Sequence, residues 1–321
     1  MKSFLRFLLA VSVLSGFAYA RQTPGVHILH VQGNVYMLVG AGGNVAVQVG
    51  SDGVLMVDTG TAEMTDQLLA AIKELAKPIT KKPLRYIINT HAHPDHTGGN
   101  EKARAMGRTI TGGNVAGNIS DAAEGAAIYA HDNVLKAMST RRGNQPPAPQ
   151  GAWPTDTYFT ENKELFFNGE ALQLFHPKEA HTDGDTIVFF RRSDVVLTGD
   201  IFSTTTYPII DLQNGGSLNG IVDALNFILD ITIPADKQEG GTMVIPGHGR
   251  LCDEADVVEY RDMVTIIRDR IQDMVKKGMS LEQVKAAKPT RDYDPLYGST
   301  TGVWTTDMFV EAAYKSLAAK K

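Results

Sequence analysis

The chain has nine histidines in 321 residues, and three of them fall within six positions alongside an aspartate, as His91-x-His93-x-Asp95-His96. Imidazole nitrogens and carboxylate oxygens are the donors that suit borderline divalent cations, so this cluster points to a metal site, where a lone His-x-His would say little. Side chains two apart on extended backbone point the same way, so His91 and His93 can converge on one ion; Pro94 then bends the chain and lets Asp95 and His96 face a second. Three further ligand-type residues each sit at a strand end or in a turn: His181 in Ala180-His181-Thr182-Asp183-Gly184-Asp185, Asp200 in Thr198-Gly199-Asp200, and His248 in Pro246-Gly247-His248-Gly249. Three imidazoles on a zinc ion leave a position open for water, and two dications sharing a water lower its pKa toward neutrality and supply hydroxide. Asp95, beside that water, is placed to orient it or to shuttle its proton. The one cysteine, Cys252, permits neither an intramolecular disulfide nor a thiolate cage, so the ligands come from His, Asp and Glu. Cys252 itself reads as a small buried filler, with a reactive thiol as the sharper alternative.

Strands and helices must carry these residues. Residues 26–31, 35–39, 45–49 and 54–58 read as short strands separated by Gly and Asn turn signals, and 62–77 as a helix with Leu68, Leu69, Ile72 and Leu75 at helical spacing, stopping before Pro78. A buried strand at 85–89 runs directly into the histidine cluster. The second half repeats the pattern: a hairpin over 165–175 turning at Asn168-Gly169, strands at 186–190 and 195–197, a helix over 218–229, and a strand at 242–245 just before His248. Alternation in two halves predicts an α/β sandwich. Residues 144–154, rich in Pro, Gly and Gln, read as a surface loop. Beyond Cys252 the pattern is helical, over 255–277 and 280–287 with a last helix ending in Lys320 and Lys321. The expected organisation is therefore 1–20 as a leader, 21–254 as the catalytic domain and 255–321 as a helical extension.

Lys2 and Arg6 precede an apolar run from Phe7 to Phe17 that ends in Ala18-Tyr19-Ala20. A basic start, a short apolar stretch and a small-x-small site predict a secretory signal cleaved near Ala20, and hence an exported, periplasmic or secreted protein with no stable membrane association afterwards. A buried N-terminal helix or an uncleaved anchor is the competing reading. An apolar content of 43% with 21% charged residues is ordinary for a globular protein, and a net charge of -5 gives no basic field for nucleic acid. A small-molecule substrate is the expected partner.

The order His-x-His-x-Asp-His, lone His, Asp, final His resembles the metallo-β-lactamase superfamily over about residues 31 to 249. That resemblance implies the αββα sandwich, with one metal on His91, His93 and His181, a second on Asp95, His96 and His248, and Asp200 between them. It implies two divalent ions, of which zinc suits the nitrogen donors best. Asp58, in Val57-Asp58-Thr59-Gly60, matches a buried aspartate that supports the metal loop by accepting a ligand's free N–H. A helix N-cap at the start of 62–77 is the other reading of Asp58, and Asp183 and Asp185 carry the same ambiguity. Trp153 and Tyr207, with Tyr158 and Phe202, are candidates for an apolar substrate pocket or for core packing. His27, His30, His131 and His176 lack such neighbours and read as structural or surface residues.

The antibiotic-degrading members with this motif lack an aspartate at the Asp200 position. The bridging Asp resembles instead thioesterases of the glyoxalase II type, lactonases, alkylsulfatases and phosphodiesterases. The resemblance thus implies hydrolysis of small ester, thioester, lactone or amide-type substrates, with β-lactam cleavage as an alternative. An iron-dependent oxidoreductase like the persulfide dioxygenases, and a non-catalytic metal-binding protein, are the other classes. The segments Gly42-Gly43-Asn44, Tyr207-Pro208-Ile209-Ile210-Asp211 and Gly215-Gly216-Ser217, with a helix over 260–271, further resemble an exported hydrolase branch known by its fold.

Overall fold

The computed structural model describes residues 25–109, 125–141 and 146–319. The expected leader over 1–20, residues 144 and 145 of the expected loop, and the terminal Lys320 and Lys321 lie outside the described residues.

Two sheets face each other. The first has seven strands in sequential order: β1 His27–Gln32, β2 Val35–Val39, β3 Val45–Gly50, β4 Gly53–Val57, β5 Leu84–Ile88, β6 Ala127–His131 and β7 Asp156–Tyr158. The pairs β1 to β4 are antiparallel, and β4 to β7 run parallel. In the second sheet the order is β12-β11-β10-β9-β8, from β8 Asn162–Phe167, β9 Glu170–Phe175, β10 Ile187–Phe190, β11 Val195–Leu197 and β12 Met243–Ile245. Here β11 and β12 are parallel and the other pairs antiparallel.

The central strands read as unbroken apolar runs because both of their faces are covered. Along β4, Leu55 and Val57 point into the core between the sheets, while Val54 and Met56 pack outward under helix α1, Thr65–Ala76. Along β10 to β12 the same alternation sends Val188, Leu197 and Ile245 inward and Ile187, Val196 and Val244 outward. That outer face is covered by α5, Leu218–Ile231, and α6, Glu254–Lys276, which completes an αββα sandwich. Asp253 and Asp256 close a capping box at the start of α6, supplying acceptors to backbone N–H groups that the first turn would leave unpaired.

Among the elements that the sequence pattern does not announce are β6, β7, α3 Asn100–Met106 and α4 Asp132–Ser139. Of the expected surface loop, Pro146, Pro147, Pro149 and Gln150 are exposed, while Ala152 is buried and its carbonyl accepts an N–H from the buried Asn100. The C-terminal helices α6, α7 Leu281–Ala287, α8 Asp294–Tyr297 and α9 Thr306–Ala318 share one apolar core with α5 and with Ile201, Phe202, Tyr207 and Ile210. Among the described residues no helix is long and apolar enough to cross a membrane.

Candidate metal centre

The seven candidate ligands converge beyond the carboxyl ends of the two central parallel pairs, β4/β5 and β11/β12. His91 and His93 follow β5, Asp95 and His96 lie on the short helix α2, Pro94–Thr97, Asp200 follows β11, and His248 follows β12. His181 comes from the loop between β9 and β10. Their ligand atoms form two groups, His91, His93, His181 and Asp200, and Asp95, His96 and His248, each with its atoms within 4.8 Å of one another. Asp200 faces both. Its Oδ2 is 3.9 Å from the Nε2 atoms of His91 and of His181, and its Oδ1 is 3.1 Å from His96 Nε2 and 3.4 Å from His248 Nε2.

Proton assignment tests whether these residues suit a cation. A carboxylate or carbonyl oxygen only accepts, so any ring nitrogen bonded to one must carry the hydrogen. His96 Nδ1 donates to Asp58 Oδ2 at 2.7 Å, His93 Nε2 to Asp211 Oδ2 at 2.9 Å, and His181 Nδ1 to the Ile209 carbonyl at 2.8 Å. The Thr90 hydroxyl gives its proton to Asp58 Oδ2, which leaves it to accept from His91 Nδ1 at 3.0 Å. In their neutral forms all four rings therefore turn a lone pair toward the centre. His93 Nδ1 and His181 Nε2 sit 3.0 Å apart as two facing lone pairs, and His91 Nε2 and Asp200 Oδ1 are buried without hydrogen-bond partners. Such an arrangement is repulsive unless an electrophile lies between, so the donor set fits divalent cations held by nitrogen and carboxylate ligands.

The backbone is shaped to hold this cluster. Asp58 has φ +62°, a left-handed conformation that costs a non-glycine residue on the order of 1 kcal/mol, and it accepts from Thr90 N, Thr90 Oγ1 and His96. Helix α1 has Met64 at its N-cap, so Asp58 does not cap it. A side chain at Gly43 would strike the His96 ring, and one at Gly247 would strike Asp200 Oδ1, so both loops must approach as bare backbone. Asn44 ties them together through Nδ2 to the Pro246 carbonyl at 2.8 Å.

Charge follows the same geometry. In their charged forms His96 and His248 outweigh the burial that opposes ionisation of Asp200 and hold its carboxyl well below the usual range, while, against the same burial, Asp200 and Asp58 raise His96 well above the ordinary histidine value. Burial, with His96 and His181 beside it, pushes His91 well below the ordinary histidine value. Asp211 is lowered to about 2, against the effect of burial, by hydrogen bonds from His93 and Asn214.

The substrate-pocket candidates fare differently from the ligands. Tyr207 is 1% exposed, stacks on Phe309, and shares its hydroxyl proton between the Thr290 carbonyl and Asp294 Oδ1, so it packs the core beneath the C-terminal helices and does not line a pocket. Phe202 and Tyr158 are likewise buried. Trp153 donates its indole N–H to the Ala148 carbonyl at 2.8 Å and packs against the small cluster of Ala130, Val134, Met138 and Ala152. Two cavities among the described residues have His93 in their lining, and the first borders the residues that Trp153 packs against. That first cavity, of about 480 Å³, is walled by Ala92, Pro94, Met138, Pro149 and Ala152 with His93 at its edge; the second, also about 480 Å³, runs from His93 along 209–213 to Trp304, Met308 and Ala312.

Asp185 accepts from Thr182 N and Oγ1, Asp183 N donates to the Asn214 carbonyl, and His131 stacks on His176 away from the cluster. Two residues with direct bonds into the centre went unassigned in the sequence, Thr90 and Asp211. Thr90 precedes His91, an adjacency that could have flagged it. Asp211 lies 118 positions from His93 in an irregular loop, where spacing gives no signal.

Residues 32–248 match the family described as the metallo-beta-lactamase superfamily. The chain is 26% identical over 278 residues to a linear primary-alkylsulfatase of Pseudomonas sp. (strain ATCC 19151), covering 76% of this chain and 50% of that protein. It is 27% identical over 190 residues to a probable hydroxyacylglutathione hydrolase of Schizosaccharomyces pombe, covering 53% and 73%. The chain thus spans half the length of the alkylsulfatase. Among solved structures, the inverting sec-alkylsulfatase Pisa1 from Pseudomonas sp. superposes with a TM-score of 0.62 at 14% identity, over 90% of this chain and 50% of that one. The DIM-1 metallo-beta-lactamase superposes with a TM-score of 0.53 at 16% identity, over 75% and 98%. At those identities the likeness is one of fold.

Proposed function

Because this chain belongs to the metallo-β-lactamase superfamily, we propose that it is an exported hydrolase that holds two divalent cations, zinc by donor chemistry, and cleaves ester-type bonds in small molecules. The observation that carries the reading is the Asp200 carboxylate, whose two oxygens face separate ligand groups. His91, His93 and His181 would hold one ion, Asp95, His96 and His248 the other, and Asp200 both. Bound there, the cations supply Lewis acidity, lowering the pKa of a water toward neutrality and stabilising charge on the reacting oxygens. Asp95 is 38% exposed on its side chain and lies 3.2 Å from His248, so its carboxylate can orient the attacking water and pass a proton outward to solvent. The cavities beside His93 combine apolar walls with polar and charged groups, Glu101 and Asn214 in one and Asp211, Glu311 and Lys315 in the other, a lining suited to a small organic substrate that carries a polar group.

The names of the relatives put a sulfate ester and a thioester first among substrates to try. The test pairs metal content by mass spectrometry with turnover of an alkyl sulfate, a thioester, a lactone, a phosphodiester and a chromogenic cephalosporin. Two zinc equivalents with chelator-sensitive hydrolysis of an ester-type substrate are expected. Turnover of the cephalosporin alone would favour a β-lactamase, and a single iron with no hydrolysis would overturn the reading in favour of an oxidoreductase. Export rests on the Lys2–Ala20 pattern; N-terminal sequencing of protein from the periplasmic or secreted fraction should begin near Arg21, and an intact Met1 would refute cleavage.

A further inference from the structure

We propose that Asp211 is a positioning residue for the first ligand group: its carboxylate fixes the His93 ring with Nε2 protonated and Nδ1 turned to the centre, and its loop holds His181 in the matching state. The inference rests on the metal-dependent reading above. Asp211 Oδ2 accepts from His93 Nε2 at 2.9 Å and from Asn214 Nδ2, while Oδ1 accepts from the backbone N–H groups of Gln213 and Asn214, each at 3.1 Å. Four N–H donors converge on one carboxylate, which has no proton of its own to give, so the ring is left a single tautomer. The same loop grips His181 from two sides: the Ile209 carbonyl accepts its Nδ1–H, and Asp211 N donates to its carbonyl at 3.1 Å. Gly216 lies so close to the His181 carbonyl that a side chain there would collide with it, and its N–H donates to the Asp211 carbonyl at 2.8 Å, which closes the loop on itself. Carboxylate partners of ligand histidines set ring orientation and basicity, and their removal typically weakens metal binding about 10- to 100-fold.

The competing role for Asp211 is purely local, as a cap for the short turn Leu212–Asn214. Asp211→Asn separates the two. Its amide presents one oxygen where the carboxylate presents two, so either the turn or the His93 N–H meets an NH2 group. In zinc competition against a chromophoric chelator, using the full chain, Asp211→Asn should bind one zinc equivalent about 10- to 100-fold more weakly and leave the other unchanged. In the zinc-loaded chain labelled with 15N-histidine, the wild-type His93 ring proton should sit on Nε2 as a downfield, slowly exchanging resonance, and should move upfield and exchange faster in the variant. A cap alone would leave both readouts as in wild type, and that result overturns the proposal. If Asp211→Asn fails to fold by circular dichroism, the wild-type resonance still decides, because a His93 proton on Nδ1 is incompatible with it. A wild-type chain that binds no zinc defeats the hydrolase reading and this inference together; a zinc-binding chain with the wrong His93 tautomer defeats this inference alone.

Discussion

The two carboxylates that grip the candidate centre from outside are built in opposite ways. Asp58 is 1% exposed at the end of β4, its own N–H donates to the Ile88 carbonyl of β5, and both of its oxygens are committed to Thr90 and His96. Asp211 is half-buried in an irregular loop, 17% exposed on its side chain, beside a cavity that extends to α9. The sheet thus fixes His91 and His96 through strand register, whereas His93 and His181 depend on a loop packed against the C-terminal helices. A buried anchor contributes to folding whether or not a cation is present, while a loop anchor acts mainly on the ligands it orients.

Asp200 joins the two halves, so its removal should have the largest effect. Asp200→Ala is expected to lose at least one metal equivalent and on the order of a thousand-fold in kcat/KM, measured by mass spectrometry and initial rates. His248→Ala should weaken only the group that contains Asp95 and His96. Retention of two metals in both variants would sink the ligand assignment. The next largest effect tests the contrast directly. Asp58→Ala strands the buried Thr90 N–H and hydroxyl and the His96 Nδ1–H, and should lower unfolding free energy by roughly 2–4 kcal/mol in chelator, where metal binding adds nothing. Asp211→Ala should cost less than about 1 kcal/mol there, because its partners reach water. Equal losses would erase the distinction between sheet-built and loop-built anchors.

That distinction also governs what could be read from the sequence. The central strands announce themselves as apolar runs, and ligands that directly follow such strands inherit their positions: His91 after β5, Asp200 after β11, His248 after β12. Asp58 was legible for the same reason. By contrast β6, Ala-Ile-Tyr-Ala-His, carries too little β-branched character to stand out, and β7 spans only three residues whose pairing comes from a partner in parallel register. Asp211 was hidden because its role depends on a contact 118 positions away, made by an irregular loop. Tyr207 misled in the other direction: an aromatic near ligand residues suits a pocket wall as well as a core, and only the C-terminal helices, packed over it, decide between them.

A smaller effect should distinguish the sheet-built half by pH. His131, at the end of β6, stacks on His176 with centroids 3.6 Å apart, meets Tyr158 edge-on, and accepts the Asn133 N–H on Nδ1 as the N-cap of α4. Burial, and then His176, lower its pKa from 6.5 to about 4, with Asp132 opposing. The unfolded chain takes up this proton first, so the contribution is complete above pH 6.5 and is lost as pH falls from 6.5 toward 4, by roughly 1–3 kcal/mol. In chelator, His131→Gln should therefore lose less stability than wild type across that window. Parallel pH slopes in denaturant titrations would place the acid sensitivity elsewhere.

The smallest expected effect concerns the tether of the loop-built half. Tyr207 begins the stretch that leads to Asp211, and its hydroxyl reaches Thr290 and Asp294 of the C-terminal segment while its ring lies against Phe309. Tyr207→Phe keeps the ring and its stacking and deletes one hydroxyl, leaving the Thr290 carbonyl and the Asp294 carboxylate to other partners. A loss of about 1 kcal/mol in denaturant unfolding follows, with KM and zinc affinity unchanged. Because the substitution removes a single oxygen atom and keeps the ring, a change in KM without a change in stability could not come from repacking. It would mean that the hydroxyl meets substrate, and that the tyrosine belongs to the pocket. Unchanged kinetics with a lower unfolding midpoint would instead make the Tyr207 hydroxyl a core contact to the C-terminal segment and nothing more.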